Sequence, residues 1–308
     1  AALHILGPAY RFQTRLLAAG KIKDGVLEGD LYLKGGGDPL LQPQDLMDMA
    51  GRLKDSGVIR VNGRFFYDQS LLSVSGQIES AQPPAARYNP GVGALSLDFN
   101  QTLLSWRQPG ENGGTEVFLT PDTGESILGV SPAPPGRNVI AGKSGGWRLS
   151  PMAPREGAEY LPVKKPGLRT ARVFRRVARM AGVDLPEPVA GTAPGNARPL
   201  VRITGLPLTN VVRRALEYSN NLVSELIGQV AARKLTGKAM TLEASSRALR
   251  GWLKDRLPGI PWHGFHLVNH SGLTSKARVT PAQMAAIIRF AAGHRYGGKS
   301  YVSLLPVS

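Results

Sequence analysis

Between residues 211 and 230 apolar side chains recur at helical spacing: Val211, Val212, Ala215, Leu216, Leu222, Val223, Leu226, Ile227 and Val230. The same spacing puts position 219 on that face, where an aliphatic residue is expected. The sequence instead reads Tyr218-Ser219-Asn220-Asn221. A polar group on a core-facing stripe costs roughly 1 to 3 kcal/mol unless it is paired. Pattern alone leaves two readings open. Either the helix ends or kinks there, with Ser and Asn bonding their own backbone, or these groups are kept because they have chemical work to do.

Other candidates for chemistry are weaker. His263, His266 and His270 suggest a metal, but Pro261 and Gly264 break helical spacing and no cysteine or clustered carboxylate completes a ligand set. No metal is expected. Gly35-Gly36-Gly37 resembles a phosphate loop only superficially: Asp38-Pro39 follows and no Lys-Ser/Thr pair is present, so a turn is expected. Arg169, Arg172, Arg175, Arg176 and Arg179 form a basic helix face, expected to be solvated or to touch an anionic wall polymer or membrane surface. The net charge of +16 points to anionic partners in general. Nucleic acid is not expected, because no recognisable binding module or aromatic interleaving accompanies the charge. The chain has no cysteine, which suits an oxidising, exported location. At 42% hydrophobic and 19% charged residues the 308-residue chain reads as globular, with room for about two domains. No apolar run reaches the roughly 18 residues of a membrane helix.

The elements that must carry these residues follow from local signals. Residues 12 to 22 and 26 to 33 read as strands around Asp24-Gly25, a hairpin turn signal. Residues 44 to 56 read as a helix with Leu46, Met49 and Leu53 on one face. Asn62-Gly63 reads as a second hairpin turn within 59 to 68. Residues 70 to 160, rich in Pro, Gly and Ser, read as a β-rich, loop-heavy lobe with strands near 94–97, 116–120 and 139–141. A helix from Thr170 to Gly182 follows, then a Pro- and Gly-rich linker or hairpin over 184–200. The remainder reads as helical. Caps are expected at Thr209 or Asn210, at Thr241 and at Thr280, where Pro281 and Gln283 complete a capping box.

Ser219-Asn220-Asn221 resembles the Ser-x-Asn motif of serine penicillin-binding enzymes. Further blocks resemble, in order, the class C low-molecular-mass group, the D-Ala-D-Ala carboxypeptidase and endopeptidase family. They are Leu6 to Phe12, Gly29 to Pro39, Val61-Asn62-Gly63, Pro83 to Ala86, Asn269 to Thr274 and Ser303 to Pro306. The resemblance implies acyl transfer by a serine of a Ser-x-x-Lys pair, with Ser219 as a relay hydroxyl, Asn221 as the orienting amide and Asn220 as the variable middle position. A Lys-Thr-Gly strand would hold the substrate carboxylate. It further implies substrate contacts from Ser271, Gly272 and Asp98 (the last reads also as a plain surface carboxylate), peptidoglycan stem peptides and β-lactams as ligands, no cofactor, and a periplasmic or otherwise exported location. Asn269-His270 stands where many relatives have Asp-Gly, and Ser275 precedes Lys276 where a basic residue often comes first.

No lysine has a serine three residues before it, and Lys-Thr-Gly is absent. In the family the first pair precedes the Leu-Gly-Pro block and the second follows Ser-Leu-Leu-Pro. Both ends therefore read as cut, and the chain is expected to be an inactive fragment of an active enzyme. Lys143-Ser144-Gly145 precedes Ser-x-Asn and is not expected to replace the missing strand. The rival reading is a non-catalytic wall-binding protein of the same fold. The implied architecture is an α/β, β-lactamase/transpeptidase-like (penicillin-binding) domain, residues 1–18 and 203–308, interrupted by a large β-rich inserted domain over 19–202 that has room for two sub-lobes.

Overall fold

The computed structural model describes residues 1–108, 115–121, 127–130, 138–141 and 147–306. A short helix α1 (Ala2–Ile5) precedes a long hairpin of β1 (Arg11–Lys23) and β2 (Val26–Lys34), paired antiparallel from Arg15 with Lys34 to Lys23 with Val26. Asp24 and Gly25, both at positive φ, make its turn as the sequence signals. Helix α2 (Pro43–Asp55) opens on a proline and buries Leu46, Met49 and Leu53.

Strands β3 (Arg60–Val61) and β4 (Phe65–Asp68) both run parallel to β2. Asn62-Gly63 is therefore not a hairpin turn, contrary to expectation. The chain keeps its direction beside β2, and the amides of Asn62 and Gly63 donate to Leu27 O and Gly29 O. A Cβ on Gly63 would lie 2.4 Å from Gly29 O. The glycine serves close backbone approach rather than reversal.

The middle of the chain forms two small sheets. One has β10 (Glu156–Pro162), β5 (Gln101–Arg107) and β6 (Glu116–Thr120) in that order. The other has β7 (Ile127–Val130), β9 (Trp147–Leu149) and β8 (Val139–Ala141). Leu104, Trp106, Trp147, Leu149 and Leu161 form their core. No strand forms over 94–97; Leu95 and Leu97 instead enter the main core, and a tight turn follows at 98–100. Lys143-Ser144-Gly145 lies outside the described residues.

Helix α3 (Pro166–Met180) packs with α2 over the main sheet. Strand β11 (Pro188–Ala190) then adds parallel to β4, and β12 (Arg198–Pro207) adds antiparallel to β1. The sheet order is β11-β4-β2-β1-β12, with β3 also beside β2. Residues 188–190 and 198–200 of the expected 184–200 linker are thus part of the sheet. Arg169, expected on a solvated face of α3, is buried and donates to Leu97 O and Gln101 O at 2.8 and 2.7 Å.

The helical part comprises α4 (Leu208–Tyr218), α5 (Asn221–Thr236), α6 (Leu242–Arg256) and α7 (Pro281–Ala292), then a small pair of strands β13 (Arg295–Tyr296) and β14 (Lys299–Ser300). Helix α4 starts at Leu208, earlier than a Thr209 or Asn210 cap would allow. Thr241 caps α6, and the Thr280–Gln283 capping box forms as read. Strands β1 and β12 join two cores. Leu16 and Val201 pack under α2 and α3, whereas Phe12 and Leu208 pack with Leu222, Leu226 and Val230 of α5.

Candidate active site

The apolar stripe of residues 211 to 230 is not one helix. It breaks at Ser219, which ends α4 in the left-handed conformation with φ 49° and ψ 41°. Asn220 then caps α5, its side-chain oxygen accepting from Val223 N at 3.2 Å. Leu222 and Val223 anchor the new helix in the core. The kink reading of the polar step is correct, and the kink is also what displays the polar groups. Ser219, left-handed at the break, is exposed.

Ser219 and Asn221 line one cleft of about 280 Å³ together with Arg87, Tyr88, Phe99 and Gln101. The Asn221 amide donates to Tyr88 O at 3.0 Å, which fixes the direction of its carboxamide. The amides at the start of α5 add positive electrostatic character at the same place, as does Arg87. The arrangement offers a hydroxyl for proton relay and an oriented amide in an electropositive setting, which suits a reaction that develops negative charge on oxygen.

The other predicted residues lie elsewhere. Asp98 precedes Phe99 but does not itself line the cleft. Burial raises its carboxyl pKa, with Arg169 opposing. Ser271 and Gly272 sit against α5 one turn beyond Asn221. There the buried Glu225 carboxylate accepts from the amides of His270 at 3.0 Å and Ser271 at 2.9 Å. The Ser271 hydroxyl also bonds Glu225. Burial pushes the Glu225 carboxyl up, while its bonds to Ser271 and His270 pull it back. The His270 ring lies on Gly228, where a Cβ would come within 2.1 Å of it, and its Nε2 is 2.8 Å from Ser245 Oγ of α6. Burial lowers the His270 pKa to about 4, so the ring is neutral.

Tyr88, Phe99 and Glu225 escaped the sequence reading. Glu225 had a signal: a carboxylate beside Leu222, Val223 and Leu226 on a core-facing helix must be buried and paired. Tyr88 and Phe99 had none, because long-range folding alone brings them to the cleft. Among the described residues, no group of three His, Asp or Glu side chains is placed to hold a metal ion.

The chain is similar to several known proteins. The chain is 22% identical over 312 residues to the D-alanyl-D-alanine carboxypeptidase DacB of Haemophilus influenzae, an alignment covering 95% of this chain and 64% of that protein. It is 24% identical over 343 residues to the D-alanyl-D-alanine carboxypeptidase of Actinomadura sp. strain R39, covering all of this chain and 61% of that protein. It therefore spans less than two thirds of the length of these curated relatives. The crystal structure of penicillin binding protein 4 (dacB) from Haemophilus influenzae superposes with a TM-score of 0.82 over 95% of this chain and 67% of that one, at 20% identity. A second structure of that protein, complexed with a β-lactam, superposes with a TM-score of 0.76 over 95% of this chain and 66% of that one. The fold is thus the α/β penicillin-binding fold with an inserted β-rich part, as the sequence implied. The family description D-Ala-D-Ala carboxypeptidase 3 (S13) matches residues 1–130 and 150–308. With that match spanning most of its length and a Ser-x-Asn step displayed on an open cleft, the chain belongs to the D-Ala-D-Ala carboxypeptidase 3 (S13) family.

Proposed function

We propose that the full-length protein is a serine-type D-Ala-D-Ala carboxypeptidase or endopeptidase that acts on peptidoglycan stem peptides through an acyl-enzyme. The observation that carries this reading is the break between α4 and α5, which presents Ser219 and Asn221 on one cleft. The attacking serine would come from a Ser-x-x-Lys pair, which these 308 residues do not contain. Ser219 would relay the proton that leaves this serine to the departing amine, so that the attacking and leaving groups exchange one proton overall. Asn221, aligned by Tyr88 O, would hold the neighbouring lysine and the substrate amide in place. Asp98 beside Phe99 and the Ser271-Gly272 turn tied to Glu225 would complete the binding region. Residues 1–18 and 203–308 would form the transpeptidase-like part and 19–202 the insert. No cofactor is required, and β-lactams would acylate the same serine.

Substrate in the cell wall implies export; among the described residues no helix is long and apolar enough to cross a membrane. The basic surface suits contact with an anionic wall polymer or membrane surface. The test is release of D-alanine from a stem pentapeptide by the full-length protein. Release is expected for the wild type, with a drop of roughly 100- to 1,000-fold for Asn221→Ala. A folded wild type that releases none rejects the proposal.

A further inference from the structure

Left-handed backbone is unfavourable for residues other than glycine. Among the described residues five non-glycines adopt it: Asp24, Asp98, Phe99, Asn100 and Ser219. Asp24 makes the β1–β2 turn. Of the other four, Phe99 and Ser219 line one cleft, and Phe99 is the middle of three consecutive left-handed residues, 98–100, with φ of 49°, 52° and 52°. Such a run persists only where its surroundings over-determine it, and strain of this kind gathers at working sites.

The restraints come from behind the cleft. Asn100 is fully buried, and its backbone and side chain are bonded on every side. Its N–H donates to Leu97 O, and its carbonyl accepts from Val163 N. Its side-chain oxygen accepts from Leu97 N at 3.1 Å, and its amide donates to Gly91 O at 2.8 Å and Ser96 Oγ at 2.9 Å. Arg169 reaches in from α3 and donates to Leu97 O and Gln101 O, the carbonyls on either side of the turn. Neither residue lines the cleft, whereas Phe99, held between them, does.

We propose that Arg169 and Asn100 are positioning residues of the acyl-transfer cleft. By locking residues 98–100 in a left-handed turn they fix the Phe99 ring as a wall beside Ser219 and Asn221, against which an apolar stretch of the bound peptide lies. The role in the cleft rests on the function proposed above; the lock itself does not.

The test uses full-length protein carrying fluorinated phenylalanine, with Phe99→Ala to assign the Phe99 signal, and the variants Arg169→Lys and Asn100→Gly. Glycine takes the left-handed conformation freely, so Asn100→Gly keeps the turn accessible without its lock, even if Arg169→Lys folds poorly. The wild type should give one narrow fluorine line for Phe99, and both lock variants a broad or split one. Release of D-alanine should fall roughly tenfold in kcat/KM for Phe99→Ala, in the range of one apolar contact, and similarly for each lock variant. Combining Arg169→Lys with Phe99→Ala should cost no more than Phe99→Ala alone, since both act through one ring. An unchanged fluorine line overturns the lock. A broadened line with unchanged kcat/KM, or losses that multiply in the double variant, overturns the positioning role and leaves a purely structural one. A wild type that neither releases D-alanine nor reacts with penicillin removes the cleft role together with the proposed function, while the fluorine line still decides the lock.

Discussion

Acidification should loosen the packing behind the Ser-x-Asn helix through one side chain. His270 is buried between Gly228 of α5 and Ser245 of α6, and burial lowers its pKa from 6.5 to about 4. A base with a depressed folded pKa binds its proton more readily when unfolded. Its stabilising contribution is therefore complete above pH 6.5 and is lost as pH falls toward 4. The gap of about 2.5 between 6.5 and about 4, at 1.36 kcal/mol each, amounts to about 3 kcal/mol, of which about 2 kcal/mol is gone by pH 5. Asp38 and Glu225 act in the opposite sense, because burial raises both carboxyl groups, Asp38 to about 6. They destabilise the fold as pH rises, Asp38 across the window from 3.8 to about 6. The raw pH profile of the wild type is thus a partial cancellation. A His270→Gln variant isolates the histidine, since the carboxylates are common to both proteins. Urea unfolding at pH 7.5 and pH 5 is expected to show the wild type losing about 2 kcal/mol more than the variant between the two. A histidine proton resonance for His270 should also show no titration above pH 5. Parallel pH dependences in the two proteins, or a ring that titrates near 6.5, would refute the reasoning.

Ser219→Gly should relieve the left-handed strain at φ 49° and raise stability by about 1 kcal/mol while abolishing D-alanine release, whereas Ser219→Ala loses activity without the gain; urea midpoints and product release check both. Asp68→Ala should cost about 3 kcal/mol in urea unfolding. It strands Lys34, whose Nζ lies 2.7 Å from the Asp68 carboxylate, and removes the acceptor for Ser70 N and Ala193 N. Asn220→Ala should cost about 1 kcal/mol by removing the α5 cap, seen as faster amide exchange at Val223.

Where folding is decided by neighbours in sequence, the chain could be read directly. Asp24-Gly25 turns a hairpin, Thr280 and Gln283 cap a helix, and the polar step at 219–221 falls at a helix break. The misreadings share one cause, which is distance along the chain. Asn62-Gly63 carries the residues of a reversal, yet β2, some 34 positions earlier, keeps the strand straight by bonding it on one side. Arg169 looked like one of five solvated cations until Leu97 and Gln101, about 70 positions away, supplied the carbonyls that bury it. The stripe from 211 to 230 left its break at 219 as one of two readings because both halves bury the same kind of residue. Only the left-handed Ser219 and the cap at Asn220 separate them. Phe99 enters the cleft by a backbone conformation that no local pattern announces.

Labelling by a fluorescent penicillin is the most direct test of the proposed acyl transfer, run on the full-length protein, on Asn221→Ala, and on the 308-residue chain alone. The full-length wild type is expected to form a covalent adduct on a serine of a Ser-x-x-Lys pair, Asn221→Ala to label at least 100-fold more slowly, and the 308-residue chain, which lacks such a pair, to remain unlabelled. A folded full-length protein that takes no label, or an adduct that forms equally fast without the Asn221 amide, would contradict the role assigned to the cleft between α4 and α5.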